Sequence, residues 1–149
     1  MVVATVHRLE QLFRRAASLD LDKSDFGRLE DFLRRKVGDL LVRGEANAKA
    51  NSRDVVQLWD LPITKGLQET IHCFRLMNDE LQLTDYLTRL IALPPLDLAI
   101  SDETEARLFE IAGALCIALA ETFRITNGDL KNPMTEDWER AYRLFDLLL

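Results

Sequence analysis

Apolar residues recur every three or four positions along almost the whole chain, and stretches alternating apolar with polar are nearly absent. The longest such stripe is Phe26, Leu29, Leu33, Val37, Leu40, Leu41, Gly44 and Ala48, one face of a 3.6-residue repeat. It predicts a helix from Ser24 to Asn51, about 28 residues or roughly 40 Å long. Ser24 or Asp25 is placed to cap its first turn with a side-chain oxygen. A shorter stripe precedes it: Val6, Leu9, Leu12, Phe13, Ala16 and Ala17. A third helix follows, with Asp60 as cap, Leu61 and Pro62 in the first turn where proline is tolerated, and Ile63, Leu67, Ile71 and Phe74 on its apolar side.

The second half repeats this short–long–short order. Leu83, Tyr86, Leu87, Leu90 and Leu93 predict a short helix ending before Pro94-Pro95. Ser101 and Asp102 open a long helix to about Thr126, with Asn127-Gly128 expected to close it in left-handed backbone. Thr135 opens the last helix through Trp138, Ala141, Leu144, Phe145 and Leu148.

The two halves align at an offset of 77 residues. Leu19-Asp20-Leu21-Asp22-Lys23-Ser24-Asp25 matches Leu96-Asp97-Leu98-Ala99-Ile100-Ser101-Asp102 at five of seven positions. The same offset pairs Phe32 with Phe109, Asp60 with Asp137, Leu67 with Leu144 and Phe13 with Leu90. Self-similarity of this kind marks a repeated structural unit. Ile111–Ala120 carries no charge, so that helix must be covered on every side. A unit with one long and two short helices cannot do so alone. The expected architecture is therefore all-α: one compact domain over 1–149, built from unit 1–78 and unit 79–149, whose long helices cross around a shared core.

Two such units resemble the histone fold. Histone folds place an arginine in the second loop and pair it with an aspartate seven residues on, and Arg53 and Asp60 have that spacing. The chain as a whole, including Asp60–Thr70 and Leu93–Leu98, is similar to an uncharacterised bacterial family of single-chain histone-fold pseudodimers, in which two histone folds are fused in an intramolecular handshake. The resemblance implies a fold and a structural Arg53–Asp60 salt bridge, and it brings no catalytic residue. It departs from DNA-wrapping histones in the loops. Asp20 stands where a basic residue is usual, Val55 where a phosphate-contacting threonine is usual, and Leu130 lies at the repeat position of Arg53, with Lys131 beside it and Pro133 altering the loop.

Charge bears on the partner. The chain has 149 residues and a net charge of −6. Residues 1–78 carry 13 Lys and Arg against 11 Asp and Glu, a balance of +2; residues 79–149 carry 6 against 14, a balance of −8. Affinity for nucleic acid comes from neutralising phosphates, so the acidic half disfavours wrapping. Any DNA contact is expected to be weak, independent of sequence and confined to the first half, with Arg14, Arg15, Lys49, Arg53 and Lys65 as phosphate contacts. Arg35, Lys36 and Arg43 are expected on the solvent face of the first long helix. The alternative is a protein-interaction or assembly module, or a self-associating one, that keeps the histone fold and binds no DNA. Trp59, Trp138, Tyr142 and Phe145–Leu149 could furnish its surface, or else cap the core.

No catalytic constellation is present. His7 and His72 have no local metal-binding partner, and Cys73 and Cys116 fit small core groups. Asp20–Ser24 begins like a calcium loop, but Asp25 stands where that loop needs glycine and Asp31 where it needs glutamate. No enzyme, cofactor or metal is expected. The longest uncharged apolar run is the ten residues Ile111–Ala120, too short to span a bilayer. His7, Arg8 and Glu10 precede any long apolar stretch, so no secretory leader is expected and the protein is placed in the cytoplasm, with the nucleoid as one address.

Overall fold

A computed structural model describes residues 3–149, and the chain is mostly helical. Six α-helices run in order: α1 (Val3–Ala17), α2 (Lys23–Ala50), α3 (Lys65–Leu81), α4 (Thr84–Leu90), α5 (Asp102–Thr126) and α6 (Thr135–Leu148). A 3-10 turn covers Leu58–Asp60, and two short strands, β1 (Val55–Val56) and β2 (Ala99–Ile100), pair in parallel. A two-residue strand is too short to show a period, so this pair left no trace in the hydrophobic pattern.

The long helices form where the stripes place them, with local differences at their ends. Asp22, one residue before the first helical position, is the N-cap residue of α2 in place of Ser24 or Asp25, and its carboxylate makes no bond to the first turn. Asp25 instead turns its carboxylate back to accept the Asp22 backbone N–H at 2.7 Å. In α5 the Ser101 hydroxyl accepts the Thr104 N–H at 3.2 Å, a standard N-cap. Its other end is not left-handed. Asn127 is extended (φ −149°), and no described glycine has positive φ. The guanidinium of Arg124 gathers the chain there, donating to the carbonyl of Gly128 at 2.7 Å and to that of Ala17 at 3.0 and 2.8 Å.

The third helix starts later than its pattern suggested. Leu61 is extended (ψ 132°), because the proline that follows disfavours α backbone in the residue before it. Leu58–Asp60 therefore closes as an isolated turn, and α3 begins at Lys65 with Thr64 capping through Leu67 N–H at 3.1 Å. Asp60 caps the turn instead, accepting the Gln57 N–H at 2.8 Å. In the second half nothing interrupts α6, where Asp137 accepts the Met134 N–H at 2.8 Å. Both carboxylate–backbone pairs are separated by the 77-residue offset.

All five other helices pack against α5. Within Ile111–Ala120 every residue is buried except Ala118, which is half-buried. Gly113 has a role there. A Cβ on it would overlap the ring of Phe74 from α3, so α3 can lie close only over a bare backbone. Phe74 also meets Phe109 edge-on, 6.4 Å between ring centres. Trp138 anchors α6 to α2 from inside: it is 1% exposed, and its Nε1–H donates to the buried Asp25 carboxylate at 2.8 Å. Phe123 packs on its edge at 5.0 Å.

The loops are paired at both ends of the long helices. At one end, Val55 and Val56 lie opposite Ala99 and Ile100, and Ser101 N–H donates to the Val56 carbonyl at 3.0 Å. At the other, Asp20 N–H donates to the Lys131 carbonyl at 2.8 Å and the Asn132 amide to the Asp22 carboxylate at 3.0 Å. The Asn132–Asp22 contact is the counterpart of Val55–Ala99, with one residue moved 77 positions forward and the other 77 back.

Gly113→Ala is expected to destabilise the protein by about 1–3 kcal/mol, because the added methyl overpacks a filled site. Gly38→Ala, in open space within α2, is expected to gain about 0.5–1 kcal/mol from helix propensity. Urea denaturation of both variants checks the contrast.

Candidate functional site

The five cations proposed for phosphate contact each already hold a carboxylate of their own chain. Arg14 meets Asp20 at 2.8 Å, Arg15 meets Glu80 at 2.7 Å and Lys65 meets Glu69 at 2.8 Å. Lys49 meets Asp97 at 2.7 Å, with Glu45 at 3.6 Å. Hydrogen bonding by Asp97 raises the pKa of Lys49, and Lys49 in turn lowers that of Asp97. Most of these side chains are well exposed, up to 89% for Lys65, so each pair contributes little to stability. Their consequence is electrostatic: a phosphate approaching any of the five meets a carboxylate at the same place.

Arg53 and Asp60 form the exception in burial. The guanidinium makes a two-pronged bond to a carboxylate whose side chain is 2% exposed. The bond to Arg53 is the chief reason that the Asp60 carboxyl is held below its usual pKa; the Gln57 N–H adds to it and burial opposes it. The outer face of Arg53 lies 5.8 Å over the ring of Trp59, which is 70% exposed. The second half of the chain has no such pair among the described residues. Leu130 is buried in the core at the repeat position of Arg53, and the only cation that Asp137 meets among the described residues is Arg140, at 3.8 Å. Lys131 beside Leu130 is exposed and has no carboxylate partner among the described residues.

Of the basic run Arg34-Arg35-Lys36, Arg34 and Arg35 are exposed, Arg35 as expected, and Lys36 is not. Lys36 is 1% exposed, one turn beyond Phe32 on the buried side of α2. Its ammonium is satisfied by Asp146 of α6 at 2.5 Å and by Asp39 at 3.1 Å, as a buried charge requires. Arg35 lies 5.1 Å over the ring of Tyr142 and 3.6 Å from Asp146. Arg34 donates to the Leu90 carbonyl at 3.1 Å. Arg43 is exposed and has no carboxylate partner among the described residues.

Groups able to do chemistry are scattered. His7 and His72 are exposed. Cys73 is exposed and not in the core, because it sits one position off the buried stripe that Thr70 and Phe74 define on α3. Cys116 is buried, and loss of hydration pushes its thiol up to about 12, where it stays protonated and inert at neutral pH. Burial and the Glu30 carboxylate raise the pKa of Tyr86, whose hydroxyl donates to Glu30 at 2.9 Å. Among the described residues no three His, Cys, Asp or Glu side chains converge to hold a metal. No described helix is long and apolar enough to cross a membrane.

The proposed partner-binding residues divide. Trp138 and Phe145 are core, Tyr142 is half-buried with its hydroxyl on the Arg28 carbonyl at 3.0 Å, and Trp59, Leu147 and Leu148 face solvent. Sequence reasoning overlooked Arg124 and Asn132, which tie the end of α5 and the loop after it to the loop between α1 and α2. An arginine in the last turn of a helix was the available signal for one of them, since a cation there meets unpaired carbonyls.

A family model for a domain of unknown function, DUF1931, matches residues 9–146. The chain belongs to the DUF1931 family. Two uncharacterised proteins of Aquifex aeolicus are similar to it. One is 26% identical over 93% of this chain and 81% of its own length; the other is 32% identical over 83% and 79%. Among solved structures, a Thermus thermophilus protein is 51% identical and superposes with a TM-score of 0.85, covering 97% of both chains. An Aquifex aeolicus protein, 25% identical, superposes at 0.78 over 97% of this chain and 95% of its own. The DUF1931 chain thus shares its whole fold, not a fragment of it, with these proteins.

Loss of Asp60 tests the ion pair that holds the second loop. Asp60→Asn is expected to cost about 2 kcal/mol at neutral pH, as for a hydrogen bond to a charged group. The lowered carboxyl pKa means that the native pair contributes fully above about pH 4 and fades as pH falls through the lowered value. The variant should therefore lose less stability than the wild type between neutral and strongly acid pH, in denaturant titrations at each pH.

Proposed function

We propose that this DUF1931 chain is a histone-fold pseudodimer that acts by binding protein and does not wrap DNA. Its two units lie within one domain and divide after α3, at Gln82 and Leu83, and not between residues 78 and 79, which fall inside that helix; it works in the cytoplasm without catalysing a reaction. Support for the handshake comes from the 77-residue repeat, the reciprocal pairing of first and second loops, and the Arg53–Asp60 bridge. Each unit alone would expose the apolar surface that the other covers.

The observation that carries the functional reading is the neutralisation of Arg14, Arg15, Lys49, Arg53 and Lys65 by carboxylates of the same chain. A surface that follows duplex DNA needs cations free to replace counterions. Four of the five would have to surrender a partner at 2.8 Å or less, and Arg53 would have to abandon a buried carboxylate. The −6 balance of residues 84–149 adds repulsion along the other half. Loss of the histone-type loop residues at Asp20, Val55 and Leu130 points the same way.

The test is a fluorescence anisotropy titration of random-sequence duplex DNA at about 50 mM salt, repeated at about 200 mM. No saturable complex is expected at either. A complex that weakens steeply with salt, and weakens further on reversing Arg14 and Arg15 or Lys49, would restore the reading in which the first half touches the DNA backbone.

A further inference from the structure

A groove of about 560 Å³ runs between the start of α3, the end of α5 and the end of α6, with Leu67, Ala118, Leu144 and Phe145 among its lining. Two large apolar side chains of that lining stand in water: Ile125 of α5 is 83% exposed and Leu148 of α6 is 72% exposed. Along α5 the lining extends from Ala118 to Ile125 and Thr126, two turns of helix or about 10 Å. An apolar groove of that length matches the i, i+3 or i+4 and i+7 positions of an amphipathic helix laid into it.

The polar side chains of the lining chiefly accept hydrogen bonds. Thr70, Thr122 and Thr126 each donate the hydroxyl proton to a carbonyl of their own helix, that of Leu67 at 3.0 Å, Ala118 at 2.7 Å and Thr122 at 2.9 Å, which leaves oxygen lone pairs for an occupant. Thr64 already caps α3. Glu121 is the only charged side chain of the lining, and it meets no cation among the described residues. The C-terminal ends of α5 and α6 and the N-terminal end of α3 meet here, so the helix dipoles add to the negative side. Arg124, the only cation in the last turn of α5, is turned away to the carbonyls of Ala17 and Gly128. Lys65 is neutralised by Glu69 at 2.8 Å. Arg140 and Arg143 lie beyond Leu144 in a separate depression that also holds Asp146. The groove is therefore apolar with one uncompensated negative charge. Covering Glu121 with an apolar or acidic partner would strand that charge away from water, so the occupant that fits brings a cation of its own.

We propose that the groove receives an amphipathic helix of a partner protein, with apolar residues inside it and a lysine or arginine of that helix paired to Glu121. The inference names the partner's chemistry for the protein-binding reading and rests on it, yet the two fail separately. A steeply salt-dependent DNA complex removes the reading, whereas indifference of the groove to a basic helix removes only the inference.

The test is fluorescence anisotropy on the full chain with two labelled peptides of about 18 residues, long enough to hold helix. One carries leucine on one face and lysine on the other; its counterpart keeps the leucines and has glutamate for every lysine. The lysine peptide is expected to bind at micromolar concentration, and the glutamate peptide at least about tenfold more weakly, because like charges then meet. Glu121→Gln should weaken the lysine peptide about fivefold, the upper range for an exposed ion pair, and Ile125→Ser, at an exposed position, should weaken it as well. Glu105→Gln removes the same charge from the opposite end of α5, outside the groove, and should change nothing. It separates pairing at Glu121 from the general attraction of a cationic peptide to an acidic protein. Circular dichroism checks that each variant is folded. A lysine peptide that does not bind below about 100 μM, equal binding of the two peptides, indifference to Ile125→Ser, or equal effects of Glu121→Gln and Glu105→Gln each overturns the proposal.

Discussion

A stretch of helix with no charge on any side cannot face water, and the rest of this structure is arranged around that requirement. Ile111–Ala120 occupies the middle of α5, and every other helix contributes to its cover. Burying an apolar side chain fully is worth about 1.5–3 kcal/mol, so leaving several of them exposed would exceed the whole margin of stability of an ordinary domain. The close approaches follow from this. Phe74 can seal one side only because position 113 is glycine. Trp138 supports α6 against α2 because its indole N–H finds the Asp25 carboxylate and leaves no buried polar group without a partner.

The polar interior has the same logic. Lys36, Asp25, Asp60 and Asp137 are all buried, and each sits where one element must be held at a fixed angle to another. Lys36 links α2 to α6 through Asp146. Asp60 fixes the second loop through Arg53 and the Gln57 N–H. The loop pairs at the two ends use different chemistry for equivalent geometry: a short parallel ladder and a buried ion pair at one end, side-chain amide and guanidinium bonds to the chain at the other. The buried pair near Arg53 thus has an apolar counterpart at Leu130.

Much of the helical order was legible in the sequence, because 3.6-residue periodicity survives in any amphipathic helix. The long helices, the Ser101 cap and the 77-residue offset come from that pattern and from local capping chemistry. What escaped depends on residues far apart. The Arg15–Glu80 and Lys49–Asp97 pairs join side chains 65 and 48 positions apart, so no local pattern marks those arginines and lysines as already satisfied. Lys36 was placed in solvent because charge usually is, while its position one turn after Phe32 was the better guide. The late start of α3 was within reach, since the residue preceding Pro62 is steered away from helical backbone. The end of α6 was visible only as a leucine-rich run, whose exposed and buried members separate once the helix is seated.

The joint between the halves is very short. Only Gln82, in left-handed backbone, and Leu83 separate α3 from α4. A tether of that length holds two complementary surfaces at a high effective concentration, so their union does not depend on how dilute the protein is. It also frees the halves from resembling one another. Two separate copies of one chain must present identical faces about their axis, but residues 1–81 and 84–149, on either side of this joint, carry 0 and −6. Within one chain, the two sides of a shared core need not carry the same charge.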